Sequence, residues 1–251
     1  MTNTAIAQDV LLTEDRGAVR VIRLNRPDKM NALNGALMQA ILDALLAADA
    51  DRSVRAVVLC GAGRAFCAGN DLSEFKELTP DQPDKVTARA ELTCRMQSAC
   101  QKLSKPVVTA VHGAAMGGGA GLALGADMMV VANEGVLFGY PELKHSIVPA
   151  LVMAGLVHSL GRKAAFELIS LGRILNGREL IAFGLANRLV PVGQVEAEAL
   201  AIAEQWAEAD YRAMAAAKSL FYRVADLPFD AAMAVGKDVN ALMRSFREPA
   251  R

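Results

Sequence analysis

The residues that could do chemistry in this chain are gathered around glycine. The stretch His112-Gly113-Ala114-Ala115-Met116-Gly117-Gly118-Gly119-Ala120-Gly121-Leu122-Ala123-Leu124-Gly125-Ala126-Asp127 follows an apolar run over residues 106–111 that reads as a buried strand. It continues into Ala/Leu-rich sequence that reads as a helix start. Glycine in such a turn lets a ligand approach the backbone closely. The first N–H groups of the helix have no intrahelical partner, and the helix dipole favours negative charge there. The turn is therefore expected to bind a developing oxyanion. Close helix–strand packing is the competing reading; it competes poorly, because consecutive glycines in a helix start cost stability.

A second glycine-rich turn, Gly61-Ala62-Gly63-Arg64-Ala65-Phe66-Cys67-Ala68-Gly69-Asn70-Asp71-Leu72, follows a short apolar strand over residues 55–60. Asp71 and Glu74 have the spacing of a capping box, which predicts a short helix directly after the turn. Neither turn is a P-loop, because no Gly-Lys-Ser/Thr follows. Phe66 stands where the dinucleotide fingerprint needs its third glycine, and the triplet at 117–119 misses that spacing too. No G-x-S-x-G elbow occurs. His112, His145 and His158 are far apart and lack metal-ligand spacing, so they read as packed or surface histidines.

The elements that must position these turns follow from periodicity. Strands are predicted over residues 18–24, 55–60, 107–111, 128–132 and 185–190, with an extended segment over 136–142. Helices are predicted over residues 36–50, 86–103, 162–171, 195–210, 211–225 and 229–246, with another from Asn176 to near Gly184. Residues 77–84 read as a mobile surface loop and residues 145–153 as an apolar loop. Strand and helix thus alternate over the first two-thirds, an α/β pattern, and the remainder is helical. The break in style near Val190 divides the chain into 1–190 and a helical region, 191–251.

Composition excludes several functions. Among 251 residues, 27 Lys and Arg balance 27 Asp and Glu, so nucleic acid or a membrane surface is not the expected partner. Cys60, Cys67, Cys94 and Cys100 form no C-x-x-C pair, which fits cytosolic thiols. Residues 1–9 show no basic segment followed by an apolar one, so no secretory signal is expected. Residues 106–126 are uncharged for about the length of a membrane span, but their glycines, proline and histidine argue against one.

Four stretches stand in order: Val21-Ile22-Arg23-Leu24-Asn25-Arg26-Pro27-Asp28-Lys29-Met30-Asn31-Ala32-Leu33, then Gly63 to Leu72, then His112 to Asp127, then Phe138-Gly139-Tyr140-Pro141-Glu142 with Pro149. Together they resemble the crotonase family, the enoyl-CoA hydratase/isomerase superfamily. The resemblance implies a crotonase-type spiral of ββα units, with a C-terminal helical region that trimerises, giving trimers or hexamers built as pairs of trimers. It implies an acyl-CoA thioester substrate, an enolate-like oxyanion, and no metal or redox cofactor beyond the coenzyme A of the substrate itself. By position, the oxyanion donors are the backbone N–H groups of Asn70 and Gly118. Lys29, Met30, Ala32, Arg64, Ala68, Asp71, Leu72, Met116, Gly117 and Tyr140 fall at substrate-binding positions. Lys29 and Arg64 read equally well as solvated loop charges.

Two-glutamate hydratases of this family carry one carboxylate two residues after the glycine triplet, where this chain has Gly121, and one at Glu142. Only Glu142 is present. Its apolar neighbours Phe138, Tyr140, Pro141 and Leu143 predict a raised pKa, suited to proton transfer. The expected function is enoyl-CoA hydration or isomerisation with Glu142 as acid/base. The alternatives are another crotonase-fold reaction (thioester hydrolysis, decarboxylation or C–C cleavage) and a non-catalytic acyl-CoA-binding homologue. Asp127 is expected only to cap or end the central helix.

Overall fold

The structure is a computed structural model that describes residues 9–244. The leader reading over residues 1–9 and the end of the last predicted helix, at Phe246, fall largely or wholly outside the described residues.

Three runs too apolar to face water form the middle of a six-stranded sheet: β3 (Ala56–Gly61), β5 (Val107–Val111) and β7 (Met128–Ala132). Strands buried on both faces belong in a parallel sheet, and these pair in parallel. β2 (Val19–Leu24) joins β3 in parallel, and β1 (Leu11–Arg16) closes that edge antiparallel to β2. β10 (Arg188–Val190) closes the other edge beside β7. β1 was not predicted; as a polar, mostly exposed edge strand it carries no apolar run to mark it.

A smaller sheet is hidden inside the glycine-rich turns. β4 (Ala65–Cys67) lies in the first and β6 (Ala114–Met116) in the second, and they pair with β8 (Leu137–Gly139) and β9 (Ile174–Leu175) in the order β4-β6-β8-β9. Neither stretch is therefore a simple turn. The chain repeats one unit three times: β3-β4-α2 (Pro83–Lys102), β5-β6-α3 (Gly118–Leu124) and β7-β8-α4 (Ala150–Ser170). Each unit places its first strand in the larger sheet and its second in the smaller. This is the expected ββα spiral.

The helices include α1 (Gly35–Ala50), α5 (Gly177–Ala182), α6 (Val195–Ala207), α7 (Tyr211–Val224) and α8 (Phe229–Arg244). Asn176 and Glu179 form a reciprocal capping box at the start of α5. α2 begins at Pro83, inside the segment read as loop, because proline suits a helix's first turn. α4 begins at Ala150, inside the segment read as apolar loop, and it breaks at Gly161 (φ 72°) before the predicted 162–171 portion. α6 buries Val195, Ala199, Ile202 and Ala203 against β3, β5 and β7. Among the described residues no helix is long and apolar enough to cross a membrane; residues 106–126 form β5, β6 and α3 instead.

Asp127 does not cap the central helix, which ends at Leu124 with Gly125 as its C-cap. Its carboxylate accepts from Val107 N (2.7 Å), Tyr222 Oη (2.8 Å) and Lys218 Nζ (2.7 Å). Lys218, on α7 and only 4% exposed in its side chain, also donates to Cys100 O (2.6 Å) and Lys105 O (2.8 Å). A buried ammonium with three acceptors is stable; removing it leaves Asp127 poorly compensated. Lys218→Ala is expected to lower unfolding stability by about 3 kcal/mol in a denaturant titration. A loss below about 1 kcal/mol, the scale of an exposed pair, would contradict this role.

Candidate active site

The first turn is held by the loop that follows β2. Asn31 is fully buried in the left-handed region (φ 55°). Its amide donates to Ala62 O (2.9 Å) and Ala65 O (2.8 Å), while its oxygen accepts from Arg26 N (2.9 Å). The Arg26 guanidinium donates to Ala32 O and to Asp71 Oδ2. Leu33 N donates to Gly69 O (2.7 Å), and Asp71 N donates to Leu33 O (3.0 Å). Residues 69 and 71 thus turn their bonding groups toward Leu33, and in extended backbone the intervening N–H, that of Asn70, points the other way. Among the described residues it donates to no protein acceptor.

The capping box expected of Asp71 and Glu74 does not form. Asp71 accepts from Ser73 N and Oγ as well as from Arg26, and these bonds hold its carboxyl below the usual range, Ser73 contributing most. Glu74 instead caps the start of α1, accepting from Gly35 N (2.9 Å), and pairs with Arg89 (3.3 Å). A carboxylate reached across the fold from one helix start to another has no local sequence signal.

The second turn packs against the first. Gly69 (φ 99°) tolerates no side chain: a Cβ there would lie 2.7 Å from Met116 O and 3.8 Å from Gly118 N. A Cβ at Gly118 would lie 3.3 Å from Asn70 Oδ1. Gly118 opens α3, whose first helical bond is Gly121 N to Gly117 O (3.0 Å), so the Gly118 N–H precedes the ladder. Like that of Asn70, it has no protein acceptor among the described residues.

Glu142 closes the group. Gly117 has φ 50°, and a Cβ there would meet Glu142 Oε1 at 2.9 Å. Burial pushes the Glu142 carboxyl above its ordinary value, with smaller opposing effects from its own N–H and from His145. Among the described residues, the buried side-chain polar atoms without a partner are Asn70 Oδ1, Gln82 Oε1, Tyr140 Oη and Glu142 Oε2. Buried polar atoms are normally satisfied, and both Asn70 and Glu142 carry one that is not. Tyr140 lies two residues before Glu142, and burial, with the Glu142 charge, pushes its phenol up.

The remaining predicted residues spread around this centre. Met30 is half-buried in the left-handed region, and its carbonyl accepts from Ala68 N (2.9 Å). Ala32 and Ala68 are half-buried beside Asn70, and Met116 lies over Gly69. Lys29, Arg64 and Leu72 are exposed. His112 Nε2 is 2.9 Å from Gly63 O, a packing role. The sequence gives no sign of the parts played by Asn31 and Arg26, and it marks Glu74 only for a local capping box; their roles appear once the two loops are brought together. Among the described residues no group of three or more His, Cys, Asp or Glu side chains is placed to hold a metal ion.

A side chain at Gly121 would have to displace side chains that pack against it. A Cβ there would lie 2.7 Å from Val152 Cγ1 and 3.1 Å from Gln97 Cδ.

A ββα spiral in which two glycine turns pack together beside a half-buried carboxyl is the crotonase fold. The comparisons agree. The family model described as enoyl-CoA hydratase/isomerase matches residues 14–245. A relative from Thermus thermophilus, under an enoyl-CoA hydratase name, is 41% identical over 77% of this chain and 76% of its own. "Probable enoyl-CoA hydratase" of Rhizobium meliloti is 36% identical over 88% of this chain and 84% of its own. The solved structure of an enoyl-CoA hydratase from Mycobacterium smegmatis superposes with a TM-score of 0.87 at 31% identity, covering 94% of this chain and 91% of that one. The chain belongs to the enoyl-CoA hydratase/isomerase family and is an enzyme of that kind.

Gly121→Glu, which restores the family's second carboxylate in sequence, is expected to overpack Val152 and Gln97 at a cost of about 1–3 kcal/mol. Thermal melting should fall and turnover should not rise. Higher turnover at unchanged melting temperature would contradict this geometry.

Proposed function

We propose that this enzyme hydrates a 2-enoyl-CoA through a thioester enolate, with Glu142 as its one acid/base carboxyl. The Asn70 and Gly118 N–H groups bind the thioester oxygen as it gains charge. Water adds its oxygen to Cβ, the π electrons move to the thioester oxygen, Glu142 takes the water's proton, and Glu142 delivers a proton to Cα. The observation that carries this reading is the half-buried Glu142 carboxyl, its buried Oε2 unpartnered, packed against Gly117 beside those two free donors. Preorganised donors aimed at developing charge are commonly worth about 3–4 kcal/mol each in the barrier. The same carboxyl can move a proton between Cα and Cγ of a 3-enoyl-CoA, so isomerisation is the second activity; the absence of a carboxylate at Gly121 favours it. Neither reaction requires a metal or redox cofactor. Lys29 and Arg64 are proposed to contact coenzyme A, and Met30, Ala32, Ala68, Asp71, Leu72, Met116 and Tyr140 to line its path. Four unpaired cysteine thiols support a cytoplasmic setting.

Incubation with crotonyl-CoA and with a 3-enoyl-CoA should give the 3-hydroxyacyl and 2-enoyl products; no turnover of either class would refute the reading. Glu142→Gln should lower kcat by about 10²–10⁴-fold. The acid limb of the pH profile should lie above the ordinary Glu value of about 4.3, because burial raises this group. The sign for stability is opposite to that of an ion-paired carboxyl. A carboxyl with a raised native pKa binds more protons folded than unfolded, so stability falls as pH rises through the window between its ordinary and raised values. Glu142→Gln should therefore melt no lower than wild type at neutral pH; a lower melting temperature would show that the charge stabilises the fold.

The C-terminal helices support an oligomer. α8 buries none of its side chains, and Phe229 (77% exposed) and Met233 (59%) face outward. We propose that residues 191–251 cover such surface with further copies of the chain, in a trimer or a pair of trimers. Light scattering should give a multiple of three protomers; a monomer at micromolar concentration would overturn this.

A further inference from the structure

The space beyond Gly121 is taken by a side chain from another helix. A Cβ at Gly121 would lie 3.1 Å from both Cδ and Nε2 of Gln97, on α2. One turn on, a Cβ at Gly125 would lie 2.8 Å from the Gln97 carbonyl oxygen. The two helices touch at these glycines, and the contact sends the Gln97 carboxamide into the volume a residue-121 side chain would occupy. One turn earlier, the same construction at Gly117 meets Glu142 Oε1 at 2.9 Å. Gly117, the N-cap of α3, and Gly121 face each other across the first turn, Gly121 N donating to Gly117 O (3.0 Å). A water bonded to two groups at ~2.8 Å each bridges a gap of about one helical turn. Glu142 Oε2 has no protein partner, and among the described residues no hydrogen bond engages the Gln97 carboxamide.

We propose, resting on the reading of Glu142 as acid/base, that the Gln97 carboxamide and the Glu142 carboxylate together hold the water that adds to the enoyl double bond. The water donates one hydrogen to Glu142 and the other to Gln97 Oε1, which leaves a lone pair for Cβ. As the C–O bond forms, the π electrons pass to the thioester oxygen, the proton goes to Glu142, and Glu142 protonates Cα. Gln97 gains and loses no proton. It supplies by hydrogen bonding the second hold on water that Gly121 cannot.

The test separates steps that need the added water from a step that does not. Hydration of crotonyl-CoA is compared with deuterium exchange at Cα of butyryl-CoA in heavy water, which needs Glu142 and the enolate but no addition at Cβ. Gln97→Met, close in volume, should lower hydration kcat by about 100-fold, the low end for losing a positioned polar group. Exchange should stay within about threefold. Gln97→Glu, which still accepts from the water, should keep most of the hydration. If the Met variant fails to fold, Gln97→Asn withdraws the amide by one methylene and should give the same split. Wild type that hydrates while hydration and exchange fall equally in the variant, or do not fall, overturns the Gln97 role alone. Wild type that hydrates no 2-enoyl-CoA overturns the hydration reading and the Gln97 role with it, and wild type that also fails to exchange Cα or to isomerise a 3-enoyl-CoA overturns the Glu142 reading beneath both.

Discussion

Leu33 commits the groups on either side of Asn70. By donating to Gly69 O and accepting from Asp71 N, it uses both neighbours and leaves the Asn70 N–H facing the opposite space. The rest of the site follows from that constraint. The loop carrying Leu33 must be fixed, so Asn31 is buried with its amide spent on two carbonyls, and Arg26 ties Ala32 O to Asp71. The facing turn must come close, so Gly69 and Gly118 carry no side chains. An isolated backbone donor left unsatisfied in the folded state is a cost, and the proposed mechanism recovers it when the thioester oxygen gains charge.

The carboxyl is placed under a similar tension. Glu142 sits where burial disfavours its charge, against a glycine whose φ of 50° few other residues adopt. Stability alone would select neither feature. Both make sense if the carboxyl exchanges protons with a substrate near neutral pH. Elsewhere the fold spends its polar groups conventionally. Lys218, Asp127 and Tyr222 satisfy one another and pin α7 to the sheet ends, giving the strained turns a rigid frame.

Much of this was legible in sequence where one segment decides its own structure. The runs at β3, β5 and β7 are apolar enough to be strands in any context, and α1, α6 and α7 show helical spacing with clear limits. The glycine triplet and Glu142 stand out in sequence as candidates, and the structure brings them into contact. Features set by distant partners were not. β4 and β6 are three residues each and exist because they pair with one another and with β8. Asp71 and Glu74 carry a local capping pattern, yet Arg26 and Gly35, remote in sequence, claim their carboxylates. Gln97 reads as an ordinary helix residue until α2 is laid on Gly121 and Gly125. The absence of a second glutamate was visible in the chain; what fills its place was not.

The central claim is that two backbone donors and one carboxyl surround the thioester carbonyl and its adjacent carbons. A crystal structure with a non-hydrolysable acyl-CoA thioester analogue tests it most directly. The account predicts the carbonyl oxygen at about 2.7–3.1 Å from both Asn70 N and Gly118 N, with the Glu142 carboxylate beside Cα and Cβ. A carbonyl oxygen bonded elsewhere, or Glu142 turned away from the acyl carbons, would contradict it.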